Sequence, residues 1–386
     1  MKHNELSDLF IEKLENKEFI PIANPHVGIK EAQAVYDQIK GGWITMGKKV
    51  KELEEKICEY LEVKHAIMFN NGTSSLHTAV VAAGVKKNDE VIVPTLSYIS
   101  SGNVIDYCGA KPIFCESNEK TFNAEVEDIE SKITDRTKAI MIVDLKGMPA
   151  NFDEIIKLAK KKNIMVIGDS AESFGAIYKN KKVGSQLDMH SFSFFANKNL
   201  TMGEGGLVTT NNDEIAKICR LFRNQGQAKR YDHIMIGNNY RLTDYAAAFG
   251  LVQLSKIEHL MKEKNLVAEM YDSHFENHDF ITKPFVPKYV SRHSWYMYSI
   301  ILDQKIDRDK VVKYLTESHI ETRLSFPPIH LQPAYKQKYG YKVGDLPKSE
   351  KIFKTFLDIP CWVTIGKGKV KRIVDSLNMA IEKSFK

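Results

Sequence analysis

The sequence predicts an α/β protein built in three layers, a mainly parallel sheet between two sets of helices, with a smaller C-terminal α/β domain. Three observations predict it. Short apolar runs alternate with amphipathic stretches between about residues 65 and 210. Most runs end near Gly, Asn, Asp or Pro, as buried parallel strands do. The length, 386 residues, suits two packed lobes sharing a cleft.

The runs, in order, are Ala66–Phe69, Val91–Val93, Pro112–Phe114, Ala139–Val143, Ile164–Ile167, Phe192–Phe195 and Leu207–Thr209. Each is short and rich in β-branched or aromatic residues. Helical patterns separate several of them. One begins at Phe152, with apolar residues at i, i+3, i+4 and i+6, and closes on Lys160, Lys161 and Lys162, a solvated face that complements the helix dipole. A longer helical pattern from Thr243 to about Lys264 ends the first lobe. Beyond it Pro284, Pro287, Pro327, Pro328, Pro333 and Pro347 mark a change of composition, with a strand-like run from Trp295 to Leu302 and a helix around Lys310–Leu315. The expected division is an N-terminal extension over 1–20, a large cofactor-binding domain over 21–264 and a small C-terminal domain over 265–386.

Composition narrows the function classes. Lys and Arg number 55 against 49 Asp and Glu, a formal net charge of +6 without a basic block, so a nucleic-acid partner is not expected. The uncharged stretch from Ala66 to Val85 is interrupted by Asn70-Asn71-Gly72-Thr73-Ser74-Ser75, which excludes a membrane span there. The first residues mix charges at helical spacing and lack the apolar core of a signal peptide. Five cysteines, odd in number and without a C-x-x-C pair, point to reduced thiols in a cytoplasmic protein. The twelve histidines fall into no ligand spacing, so no metal is expected. Nucleotide-binding glycine loops and hydrolase elbows are absent as well.

Parallel sheets present ligands at the carboxyl ends of their strands. Four segments there carry reactive or hydrogen-bonding groups: Asn70–Ser75, Pro94–Ser101, Asp169–Glu172 and Ser193–Gly206. Together they offer what pyridoxal 5′-phosphate needs from a protein. Lys198 supplies the amine that holds the cofactor and shuttles a proton. Asp169 pairs with the ring nitrogen. Gly72, Thr73 and Ser74 open a helix whose N-terminus can cradle a phosphate, with Ser193 adding a hydroxyl. Tyr98 can stack on the ring. Singly, each has a plainer reading: an N-cap, a turn-forming aspartate, an exposed lysine, a packing tyrosine.

The surrounding residues resemble the DegT/DnrJ family of sugar-nucleotide aminotransferases, a branch of the aspartate-aminotransferase (fold type I) superfamily of pyridoxal-phosphate enzymes. The resemblance runs through Gly42-Trp-Ile-Thr-Met-Gly, Asn71-Gly-Thr-Ser-Ser-Leu-His, Val93-Pro-Thr-Leu-Ser-Tyr, Asp169-Ser-Ala-Glu-Ser-Phe-Gly-Ala and Ser191-Phe-Ser-Phe-Phe-Ala-Asn-Lys, then Gly237-Asn-Asn-Tyr-Arg-Leu-Thr-Asp and Pro328-Ile-His-Leu-Gln-Pro-Ala-Tyr. It implies Lys198 and Asp169 as the catalytic pair, Thr73, Ser74 and Ser193 on the phosphate, and Tyr98 on the ring. Glu172 stands where relatives contact the ring's O3′ oxygen; because carboxylate and phenolate repel, it is expected to share a proton or to bond elsewhere. Asn239 resembles an asparagine that reaches the neighbouring subunit's cofactor, which implies a homodimer with shared sites. His330, Trp43 and Met46 are implied on the substrate side. Gly168 and Ser170 flank Asp169 where the family usually has an acidic and a small residue.

Lysine at 198, rather than the histidine of the dehydrating branch, implies transamination. L-glutamate is the expected donor, with pyridoxamine 5′-phosphate carrying the amine between half-reactions. The text after Lys198, Thr201-Met-Gly-Glu-Gly-Gly, resembles the members that act at C4. The expected acceptor is a nucleotide-linked 4-keto-6-deoxyhexose, as in perosamine- or viosamine-type amino sugars of lipopolysaccharide O-antigen, with GDP, dTDP or UDP as carrier. The alternatives are a C3 aminotransferase acting on a nucleotide-linked 3-keto sugar and a non-catalytic regulatory relative.

Overall fold

Six of seven strands in the main sheet run the same way, as the buried apolar runs require. A computed structural model describes residues 19–385. In chain order the strands are β1 (His65–Phe69), β2 (Glu90–Pro94), β3 (Lys111–Cys115), β4 (Thr137–Val143), β5 (Met165–Asp169), the short hairpin β6 (Ile177–Tyr178) and β7 (Lys181–Lys182), β8 (Met189–Ser193) and β9 (Gly206–Thr210). The sheet order is β1-β9-β8-β5-β4-β2-β3. Only β9 is reversed, antiparallel to both β1 and β8.

Alternation along each strand explains the layers. Met68, Ile92, Ile140 and Ile142 enter the core on one face, with Leu53, Ile57, Phe152 and Ile155 from helices Lys48–Leu61 and Phe152–Lys162. Their neighbours Ile67, Phe69, Val91, Val93 and Met141 enter the core on the other, against Leu76 and Val80 of the helix Gly72–Ala82. A slip of one residue would exchange the two faces, so the register is held by burial. It brings the ends of the strands into line: Pro94 pairs with Cys115, Val143 with Asp169, Asp169 with Ser191, and Ser193 with Gly206. The segments singled out by sequence therefore gather at one edge.

The helical pattern read from Thr243 is two helices, Asp244–Ser255 and Ile257–Phe275, broken at Lys256. The second continues past Lys264 because its buried side changes partner. Ile257, Leu260 and Met261 belong to the large core, whereas Val267, Ala268, Tyr271 and Phe275 belong to a second one. That second core lies around a three-stranded sheet. After the hairpin β10 (Gln227–Lys229) and β11 (Asp232–His233) come β12 (Ile281–Thr282), β13 (Val290–Arg292), β14 (Tyr298–Leu302) and β15 (Phe356–Ile359), of which β12, β14 and β15 form this sheet. β13 instead pairs with β6. Helices Arg308–Glu317 and Gly366–Glu382 pack on it through Val311, Leu315, Ile373 and Leu377. The extension expected over 1–20 lies outside the described residues except for its last two, and Ile20 is buried in this second core, bridged to Ile320.

The five cysteines are free thiols, three of them buried. Among the described residues no helix is long and apolar enough to cross a membrane, and no group of acidic, histidine or cysteine side chains is arranged to hold a metal ion.

Candidate active site

A cavity of about 520 Å³ opens where the strand ends meet. All four segments chosen by sequence line it, and the small lobe adds Tyr296, Arg323 and Phe326. Asn71 caps the helix Gly72–Ala82, its Oδ1 accepting from the Ser74 amide at 2.8 Å and the Ser74 hydroxyl at 3.0 Å. Ser74 is thus engaged with the cap, while Gly72 and Thr73 keep the first-turn amides at the positive end of the helix. The Thr73 hydroxyl meets the Ser100 hydroxyl at 2.8 Å. A Cβ on residue 72 would stand 2.7 Å from the Cβ of Ser193, so only glycine lets these two walls approach.

Asp169 ends β5, nearly buried, and takes a hydrogen bond from the Ser101 hydroxyl at 2.6 Å. Burial pushes its carboxyl above the usual range, against the pull of Ser101 and the charge of Lys198. A buried carboxyl in that state favours a proton donor in contact, such as a pyridinium N–H. Lys198 follows β8, its Nζ 3.5 Å from Glu172 Oε1 and 4.0 Å from the centre of the Tyr296 ring. Burial opposes its charge, but Tyr296, Glu172 and Asp169 outweigh it and draw the ammonium's pKa upward. Glu172 is turned away from a purely repulsive role, because its Oε2 accepts the Lys146 amide at 2.7 Å. Tyr98 is 57% exposed at the cavity wall, its ring edge-on to Phe326 at 5.5 Å.

The unusual neighbours of Asp169 have a shared cause. Ser170 donates to Asp144 at 2.7 Å and meets Nδ1 of the wholly buried His190 at 2.9 Å. A Cβ on Gly168 would lie 2.8 Å from that same ring nitrogen. Burial holds His190 near a pKa of about 3, so it is neutral, and pushes Asp144 up to about 6 despite the hydroxyls of Ser173 and Ser170. Since His190 Nε2 accepts from the Leu187 amide at 3.3 Å, the neutral ring carries its proton on Nδ1, facing Ser170.

Four expected residues do not line this cavity within one chain. Asn239 is exposed and bridged to Asn224. Trp43 is 59% exposed, and Met46 packs half-buried against the large core. His330 is fully buried, its Nδ1 2.7 Å from the Thr95 hydroxyl and its Nε2 3.2 Å from Glu350, where it anchors the loop that leads to Tyr98. Conversely, sequence reasoning missed Ser101, Tyr296, Arg323 and Phe326. Ser101 closes the Pro94–Ser101 segment but was given no role there; its hydroxyl also meets that of Ser97 at 2.6 Å. The other three have no local signal.

The residues present fit pyridoxal 5′-phosphate. The cavity offers a lysine, a buried carboxyl with raised proton affinity, helix-terminal amides and an aromatic wall, and the buried Oδ1 of Asn197 on the same wall has no partner among the described residues.

The sequence matches the model of the DegT/DnrJ/EryC1/StrS aminotransferase family over residues 25–378. It is 38% identical to the GDP-perosamine synthase of Escherichia coli O157:H7, over 93% of this chain and 98% of the relative. The fold is similar to that of Helicobacter pylori PseC, an aminotransferase involved in the biosynthesis of pseudoaminic acid, with a TM-score of 0.90 and 29% identity over 95% of this chain and 100% of that one. The PMP form of a putative sugar aminotransferase, Spr1654 from Streptococcus pneumoniae, gives a TM-score of 0.91 at 28% identity over 95% and 98%. Its PLP form gives 0.90 at 27% over 95% and 99%.

Proposed function

The chain belongs to the DegT/DnrJ/EryC1/StrS aminotransferase family, and on that premise we propose that it moves an amino group from L-glutamate to C4 of a nucleotide-linked 4-keto-6-deoxyhexose, using pyridoxal 5′-phosphate. The observation that carries the reading is that Lys198 and the buried Asp169 line one cavity. Similarity to a GDP-perosamine synthase over nearly the whole length supports the C4 position and a GDP carrier. The existence of PLP and PMP forms of a structural relative supports the cofactor.

When bound, that cofactor supplies an aldehyde that takes up and returns an amine, and a ring that draws electrons from the reacting carbon. Asp169 holds the proton on the ring nitrogen. Lys198 Nζ secures the cofactor and, when released, carries a proton to or from the reacting carbon. The Gly72 and Thr73 amides bind the phosphate with help from the Ser193 hydroxyl, Ser74 fixes their cap, and Tyr98 covers one face of the ring. Glu172 orients the Lys198 ammonium. Arg323 forms no ion pair among the described residues and is the cation offered to an anionic group of either substrate.

Asn239 is assigned to the phosphate of a neighbouring subunit's cofactor, so the working unit is a homodimer. Ile234 and Ile236, 59% and 95% exposed on the same segment, support an interface there, as does Trp43. Trp43 and Met46 are assigned to the approach to the sugar.

The test is turnover with L-glutamate against a panel of GDP-, dTDP- and UDP-linked keto-sugars, followed by NMR of the product. An amine at C4 of a 6-deoxyhexose is expected. An amine at C3 would replace this reading with a C3 aminotransferase. A protein that binds no cofactor and turns nothing over would be the non-catalytic relative.

A further inference from the structure

Lys146 and Asp358 form an ion pair with only 4% and 0% of their side chains exposed, Nζ standing 2.7 and 2.8 Å from the two carboxylate oxygens. They come from different lobes, Lys146 from the turn after β4 and Asp358 from β15. Asp358 is fully engaged. It accepts from the Ser299 hydroxyl, from the Ser325 hydroxyl at 2.6 Å and from the Ser325 amide at 3.3 Å. The Lys146 ammonium also donates to the Ser325 carbonyl and lies 4.5 Å from the centre of the Phe356 ring.

The backbone of Lys146 has a separate engagement. Its amide donates to Glu172, whose other oxygen faces Lys198. Asp358, for its part, exchanges two backbone hydrogen bonds with Arg323, at 3.1 and 3.0 Å, and the segment from Arg323 to Phe326 supplies two residues of the cavity wall. Lys146 therefore touches the Lys198 side of the cavity through its main chain and the opposite side through its side chain.

Stability does not explain this arrangement. Removing two charges from water costs several kcal/mol each, and apolar residues of similar volume commonly serve a core as well or better. Lys146 also sits at φ 63° and ψ 5°, a left-handed conformation that a residue with a Cβ keeps only when its surroundings impose it. Both costs are incurred at a residue that ties the two walls together through its main chain and its side chain at once.

We propose that Lys146 is a positioning residue that locks Glu172 and the Arg323–Phe326 segment into one register about Lys198. The choice of walls that matter rests on the aminotransferase reading; the lock itself does not need a substrate to be tested.

Lys146→Met alone strands a buried carboxylate and is expected to fold poorly, so the informative protein is Lys146→Met/Asp358→Asn, which removes both charges. In the full chain without ligand, hydrogen exchange at residues 323–326 is expected to accelerate about tenfold while the strands of both sheets keep wild-type protection. With the sugar nucleotide that the wild type turns over, KM should rise about tenfold and kcat should fall less than about threefold. A folded double variant with wild-type exchange at 323–326 and wild-type KM overturns the proposal. If the double variant does not fold, Ser325→Ala keeps both charges and removes one bond to Asp358. Faster exchange at 323–326 is then expected, and unchanged exchange overturns the lock. A wild type inactive on every sugar nucleotide would sink the proposed function, and the exchange experiment would still judge the lock.

Discussion

The large-lobe wall of the cavity is made of groups that follow the ends of adjacent strands, whereas the small-lobe wall collects Tyr296, Arg323 and Phe326 from chain segments that share no strand end. The first wall is fixed by the register of the sheet, in which Asp169 pairs with Ser191 and Ser193 with Gly206. The second depends on how one lobe sits on the other, through contacts such as Lys146 with Asp358. The proposed function puts the chemistry on the wall held by the sheet and the substrate fit on the wall held by contacts between the lobes.

Substitutions on the two walls should therefore fail in different ways. Lys198→Ala is expected to reduce turnover by about four orders of magnitude or more, because both its proton transfer and its hold on the cofactor are lost. In wild-type protein, borohydride reduction should leave the cofactor on the Lys198 peptide by mass spectrometry, and in the variant on none. Near-normal transamination by Lys198→Ala would break the comparison at its strongest point. On the other wall, Arg323→Gln should raise KM for one of the two substrates about 10- to 100-fold with kcat within about threefold, as loss of a single charge-assisted contact does. Whichever substrate shows the change identifies the anion that Arg323 meets, and a collapse of kcat instead would place Arg323 with the chemistry.

The smallest effect concerns stability, through buried titratable groups in both lobes. His190 and His293 are both depressed to about 3 by burial, the latter also by the charge of Lys264. Each binds its proton less well folded than unfolded, so stability is present above about pH 6.5 and is lost as pH falls toward 3. Asp144, raised to about 6 by burial, acts in the opposite sense: the folded state holds that proton more tightly, and stability is gained as pH falls from about 6 to 4. Asp144→Asn removes the compensation. Its loss of stability between pH 6 and 4 should be steeper than wild type by about 1.4 kcal/mol per pH unit. Chemical denaturation at several pH values measures this, and parallel slopes would show that the Asp144–Ser170–His190 chain does not titrate as described.

The first wall was largely legible. Short apolar runs ending near turn residues located the strands, strand polarity located the useful ends, and Gly72, Asp169, Ser193 and Lys198 line the cavity at those ends. The identity of Gly168 and Ser170 was visible as a departure from the family, yet its cause, a buried histidine at position 190, was not. The helix after Thr243 was read too short because its apolar face serves two cores in turn, and a single sequence does not reveal a change of partner. The family resemblance put His330 toward the substrate; the structure encloses it between Thr95 and Glu350, which a histidine between prolines in a loop does not signal.

The sequence by itself determined the α/β class and the edge of the sheet where the candidate residues gather, because short apolar runs, turn residues and helix caps are local and act within a few positions. The tertiary structure alone decided the opposing wall and the pair that holds it. Nothing in the sequence marks a lysine and an aspartate 212 residues apart as partners. Only the packing of β15 near the turn after β4 takes both out of water, and there each charge needs the other.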